Sequence, residues 1–144
     1  MTQDPFGNLR EWGSVLELLA DLKSAGCLAE CQRGSIRILR YRENWRLREE
    51  MLKQLGHIET PTEELIDEVC NIVLDENSYY ELRILASRAL ARLLNNQHKL
   101  SGTRFRPKTE SIIESLKAAM ATPHPPIFHD ALGLCLQSLA SRAV

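Results

Sequence analysis

The chain has no excess of either charge: 18 basic and 19 acidic side chains leave a formal net charge of −1. That removes any global attraction to nucleic acid or to an anionic membrane surface. No apolar run approaches the ~20 residues that a membrane-spanning helix needs. The first residues, MTQDPFGNLREWG, lack a basic stretch followed by an apolar core, so they do not read as a signal peptide. No segment of useful length alternates apolar and polar residues with period two, and neither Asn-Gly nor Asp-Gly occurs, which argues against strands and hairpin turns. What remains is an ordinary globular composition, 44% hydrophobic and 26% charged, in 144 residues. We read 1–144 as a single domain, long enough to bury roughly two-thirds of its unfolded surface.

Catalytic and metal motifs are also missing. There is no P-loop, dinucleotide fingerprint, Gly-x-Ser-x-Gly or His-Glu-x-x-His. Cys27 and Cys31 lie four apart, but no second cysteine pair or histidine pair accompanies them, and a structural zinc site wants four ligands in two close pairs. His124 and His129 lie near Asp130 in PHPPIFHD, where the prolines read as a stiff turn before a helix. Cys70 and Cys135 fall on apolar helix faces, where a free thiol behaves as a small hydrophobe. A reduced, cytoplasmic protein without metal or cofactor is the expectation.

Helical periodicity is what the chain does have. Five stripes recur with spacings of three and four: Leu47, Met51, Leu52, Leu55, Ile58; Leu65, Ile66, Val69, Cys70, Val73; Leu82, Leu85, Ala86, Ala89, Leu90, Leu93; Ile112, Ile113, Leu116, Met120; and Phe128, Ala131, Leu132, Cys135, Leu136, Leu139. Capping boxes are expected at Thr60–Glu63, Ser78–Glu81 and, in an Asn version, Asn8–Glu11. Gly26 and Gly56 suit helix C-termini, and Glu49 and Lys53 are in the favourable i,i+4 order. The pattern predicts seven helices, over about 9–25, 27–41, 44–58, 61–75, 78–96, 108–121 and 126–142. Short linkers make consecutive helices antiparallel neighbours. The segment 96–107, NQHKLSGTRFRP, reads as the one long irregular loop.

Leu47-Arg48 recurs as Leu82-Arg83, 35 positions on, and the flanking apolar residues match at the same shift. Later matches follow at 46 or 47, such as Leu82 to Phe128 and Leu93 to Leu139. A period of this size built from helix pairs marks an α-solenoid. The stretches NWRLREEMLKQLGHI and SYYELRILASRALARLL each resemble the second helix of a HEAT-repeat hairpin. The resemblance spans about 26–142 and implies an all-α, right-handed superhelix of three hairpins behind an N-terminal capping helix. It also implies that Arg48 and Arg83 tie one hairpin to the next, with His129 or Asp130 at that place in the third. A plain helical bundle is the alternative. The absence of His-Glu pairs speaks against the di-iron hydroxylases of this repeat class, and nothing brings Trp45 and Asp130 together as a HEAT-like glycosylase would require.

For function, the second helices of the hairpins would line a concave face carrying Trp45, Arg46, Glu50, Lys53, Tyr80, Arg88 and Arg92. Aromatics and arginine are enriched at interaction hot spots, so this face is the candidate surface for a protein or peptide partner. The alternative is nucleic acid. Arg33, Arg37, Arg40 and Arg42, with Arg46 and Arg48 close behind, form a basic run with Tyr41 and Trp45 interleaved. In the blander reading those arginines form a solvated face paired with local acids such as Glu30 and Glu43. The stretch from Glu59 to Glu76 holds seven acids and no base. Opposite patches of this kind also suit head-to-tail self-association. A lyase-type accessory acting on a partner's cofactor, an activity some small HEAT proteins have, is a third reading.

Overall fold

The computed structural model describes residues 3–140, so the expected end of the last helix at 142 lies outside the described residues. Among them helices and short 3-10 turns are the only regular elements. The helices are α1 (Trp12–Ser24), α2 (Gln32–Arg40), α3 (Trp45–Gln54), α4 (Glu63–Leu74), α5 (Tyr80–Ser101), α6 (Arg106–Met120) and α7 (Pro126–Ala140). No strand occurs among the described residues.

The helices pack in two rows. In one, α2 lies on α4 and α4 on α6; in the other, α1 lies on α3, α3 on α5 and α5 on α7. Neighbours in sequence join the rows as the pairs α2/α3, α4/α5 and α6/α7. Side-chain contacts give the directions. Arg48, at the start of α3, reaches the end of α2 and Arg83 reaches the end of α4, so paired helices are antiparallel. Tyr80 meets Phe128 at the start of α5 and α7, and Asn95 meets Ser138 near their ends, so helices within a row are parallel. The predicted stripes form the seam between rows: Leu47, Met51, Leu55, Leu65, Ile66, Val69, Leu82, Leu90, Leu93 and Phe128 are wholly buried.

The two repeated arginines lie in this seam. Arg48 Nε donates to the Leu39 carbonyl at 2.8 Å and Arg83 Nε to the Val73 carbonyl at 2.9 Å. The hydrogen bonds therefore close each pair internally, where the resemblance implied a tie to the next pair. Arg83 also makes the onward contact by another means, since its guanidinium stacks 4.3 Å from the centre of the Phe128 ring in α7. In the last pair His129 Nε2 donates to the Thr122 carbonyl at 3.1 Å.

Several boundaries differ from the sequence reading. Asn8 forms a turn, accepting from the Arg10 N–H, and α1 starts only at Trp12. The cap of α4 is Thr62, two residues past Thr60, and accepts from the Leu65 N–H at 3.2 Å. Ser78 does not cap α5; its hydroxyl donates to Asp75 and the N-cap is Tyr79. Gly26 has the expected left-handed φ of +70°, whereas Gly56 sits in a 3-10 turn at negative φ. The expected loop over 96–107 is largely helix. α5 continues to Ser101, a 3-10 turn covers Gly102–Phe105, and α6 begins at Arg106. Asn95 bonds Ser138 and Asn96 bonds the Ile58 carbonyl, so tertiary hydrogen bonds offset their weak helix propensity.

The segment before α1 is fixed on α2. Gly34 N–H donates to the Gln3 carbonyl, Phe6 is buried, and a Cβ on Gly34 would stand 2.6 Å from the Phe6 ring. Only glycine lets the chain approach α2 this closely.

Candidate functional site

The parallel packing of α5 on α7 leaves a groove on the outward side of the longer row. One wall is α5, with Ile84, Arg88 and Arg92; the other is α7, with Ile127, Asp130 and Leu134. Small residues make the floor low: Ser87, Ala91 and Ala131 stand where larger side chains would fill the space, and about 380 Å³ is left open. The Ser87 hydroxyl donates back to the Ile84 carbonyl at 2.7 Å, so the floor presents no free hydroxyl there.

Two features of this groove bear on binding. Ile127 is 65% exposed and Leu134 67%, the highest values for large apolar side chains among the described residues. They stand two turns apart on one side of α7, about 10 Å at 1.5 Å per residue. Opposite them, Arg88 and Arg92 stand one turn apart, exposed, and neither makes an ion pair among the described residues. Arg92 lies along Gly56, where a Cβ would meet its Cδ at 2.6 Å. Cys135 lines the floor, and burial pushes its thiol up to about 12. Burial likewise raises Cys70 to about 11. Neither is a thiolate nucleophile at neutral pH.

The other sequence candidates are scattered. Trp45, 62% exposed, lines a separate cleft with Trp12, Glu43, Asn44 and Arg46 at the start of α3, and the Arg46 guanidinium lies 5.8 Å from the Trp12 ring. Lys53 pairs with Glu50 at 3.3 Å rather than with Glu49. Glu49 instead accepts from the Tyr79 hydroxyl at 2.7 Å. Tyr80 is half-buried and engaged: its hydroxyl bonds His124 Nδ1 at 3.1 Å, and its ring packs on Phe128 and under Arg83.

The basic run lies against the acidic one. Arg40 bonds Glu68 at 2.9 Å and Arg42 bonds Asp75 at 2.7 Å, which joins α2 and the turn after it to α4 and the turn after that. Arg37 holds Asp4 through both its Nε and Nη2, and that ion pair lowers the Asp4 carboxyl below the usual range. Lys108 bridges Asp67 and Glu63, joining α6 to α4. The partners are therefore Asp4, Glu68 and Asp75, in place of the expected Glu30 and Glu43. Arg33 is exposed and bears no ion pair among the described residues.

Sequence reasoning named Arg88 and Arg92 but not the apolar wall. The signal was present: Ile127 and Leu134 stand outside the buried stripe of α7 and share a face at spacing seven. Among the described residues no group of three or more His, Cys, Asp or Glu could hold a metal ion, and no helix is long and apolar enough to cross a membrane. No protein-family model matches the chain, and neither a curated protein nor a solved structure shows significant similarity to it.

Proposed function

We propose that the chain is a short HEAT-like right-handed superhelix that serves as a non-catalytic module, binding a segment of another protein along the row α1–α3–α5–α7. The two-row packing and the recurring arginine ties support the repeat reading. One observation carries the functional reading: exposed Ile127 and Leu134 face, across an open groove, two arginines that make no ion pair among the described residues. An apolar strip rimmed by charge is the usual composition of a docking surface. The nucleic-acid alternative has less support, because Arg37, Arg40 and Arg42 already hold carboxylates within the chain.

The test is position-resolved crosslinking in cells that express the protein natively. A photoreactive residue replaces Leu134 in one sample and Asn71, exposed on α4, in another. A partner in the groove yields a discrete adduct from position 134 that is absent from position 71. Identical adduct patterns from both positions would overturn the proposal.

A further inference from the structure

We infer that the occupant of the α5/α7 groove is an amphipathic α-helix bearing carboxylates along one flank, an assignment that rests on the groove being the binding surface. Strand addition, polyproline docking and helix-in-groove binding each ask for a different surface, and the residues discriminate among these three. Adding a strand requires an exposed sheet edge, and no strand occurs among the described residues. A polyproline segment requires a groove walled by aromatic rings, yet Trp12 and Trp45 line a different cleft and no aromatic residue lines this one. Of the three, a helix laid in an apolar channel between two helices is the one this lining and its dimensions suit. From Ile127 to Ser138 the channel runs about 16 Å along α7, about three turns of an incoming helix. Ile127 and Leu134 are two turns apart, the repeat at which a helix presents apolar side chains on one face. The low floor at Ser87, Ala91 and Ala131 makes room for them.

The charge of the occupant follows from what is unsatisfied. On the α2–α4–α6 side exposed Arg40 and Arg42 and half-buried Lys108 each hold a carboxylate of this chain, while exposed Arg33 holds none among the described residues. Arg88 and Arg92 hold none among the described residues, and their i,i+4 spacing matches two carboxylates one turn apart on a helix lying alongside. Asp130 on the opposite wall favours a basic or neutral residue on the other flank. The predicted occupant thus has apolar residues at i, i+3 or i+4 and i+7, acids along the α5 side, and no acid along the α7 side.

The experiment is a display selection with a library of four-turn helix-forming peptides against the full chain and, separately, against its Arg88→Glu/Arg92→Glu form. Both arginines are exposed and make no ion pair among the described residues, so circular dichroism of the variant should match that of the parent; Arg88→Gln/Arg92→Gln serves as a milder second variant. The wild type is expected to enrich acid-flanked amphipathic helices whose affinity falls at least about tenfold in either variant, and the charge-reversed form to enrich lysine-flanked ones. Enrichment of basic or proline-rich peptides, or of acidic helices whose binding survives charge reversal, would overturn the assignment while leaving a binding groove in place. Enrichment of no peptide by any form would overturn the binding groove itself.

Discussion

Arg48 and Arg83 hold equivalent places in successive helix pairs: each sends its guanidinium Nε to a carbonyl in the last turn of the preceding helix, Leu39 in one case and Val73 in the other. The last four carbonyls of a helix have no partner within it. Here those ends are buried, so a donor must be supplied, and an arginine long enough to cross the turn does so. Burial lowers the pKa of Arg48, the cost of desolvating the cation. Arg83, also buried, lies over the faces of Phe128 and Tyr80.

Replacing either arginine by methionine keeps the apolar stem and removes the donor. Each variant should lose about 1–3 kcal/mol in urea unfolding, because a buried carbonyl is left unpaired. Arg83→Met should lose about 1 kcal/mol more than Arg48→Met, since the ring contacts go as well. Wild-type midpoints in both variants would show that these side chains do not hold the pairs closed.

Asp75 gives an acid limb. The Ser78 hydroxyl, then the Arg42 guanidinium and the Asn77 N–H, hold its carboxyl down at about 2 against an ordinary 3.8. A depressed folded-state value means the stabilisation is present in full above the ordinary value and is lost as pH falls from about 4 towards 2. Arg42 is solvent-exposed, so the contribution is about 1–2 kcal/mol after screening. Asp75→Asn should lower stability at pH 7 by that amount and flatten its dependence on pH between 4 and 2. A variant with the parent's slope in that window would assign the acid limb to other groups.

Gly34→Ala tests the seat of the N-terminal segment. The new methyl would have to displace the buried Phe6 ring, which costs about 1–3 kcal/mol. Phe6→Ala removes the obstacle, so the double variant should be less destabilised than the sum of the two singles. Strict additivity would mean that the ring and Gly34 do not meet.

Much of this architecture was legible in sequence, because a buried helix face leaves a local trace. The stripe Leu82, Ala86, Ala89, Leu90, Leu93 is the buried face of α5. The places that misled are those settled by residues distant in the chain. The run from Arg33 to Arg42 read either as a face paired with local acids such as Glu30 and Glu43 or as an anion-binding patch, yet Arg37, Arg40 and Arg42 find their acids 33, 28 and 33 residues away. Ser78 looked like a cap until Asp75 took its hydroxyl. The segment 96–107 looked like a loop, but it carries no glycine until Gly102, and the helix stops there at a φ of +57°. The groove was half visible for the same reason: Arg88 and Arg92 stood out locally, while the open space between α5 and α7 depends on small side chains from two helices meeting.

The most direct test is the affinity of an isolated groove ligand, crosslinked or selected, for an Ile127→Ser/Leu134→Ser form measured beside its unfolding free energy. Both side chains are mostly exposed, so stability should stay within about 0.5 kcal/mol of the parent, while affinity falls at least about tenfold as an apolar anchor is lost. Undiminished affinity in a fully folded double variant would contradict the assignment of this groove as the binding surface.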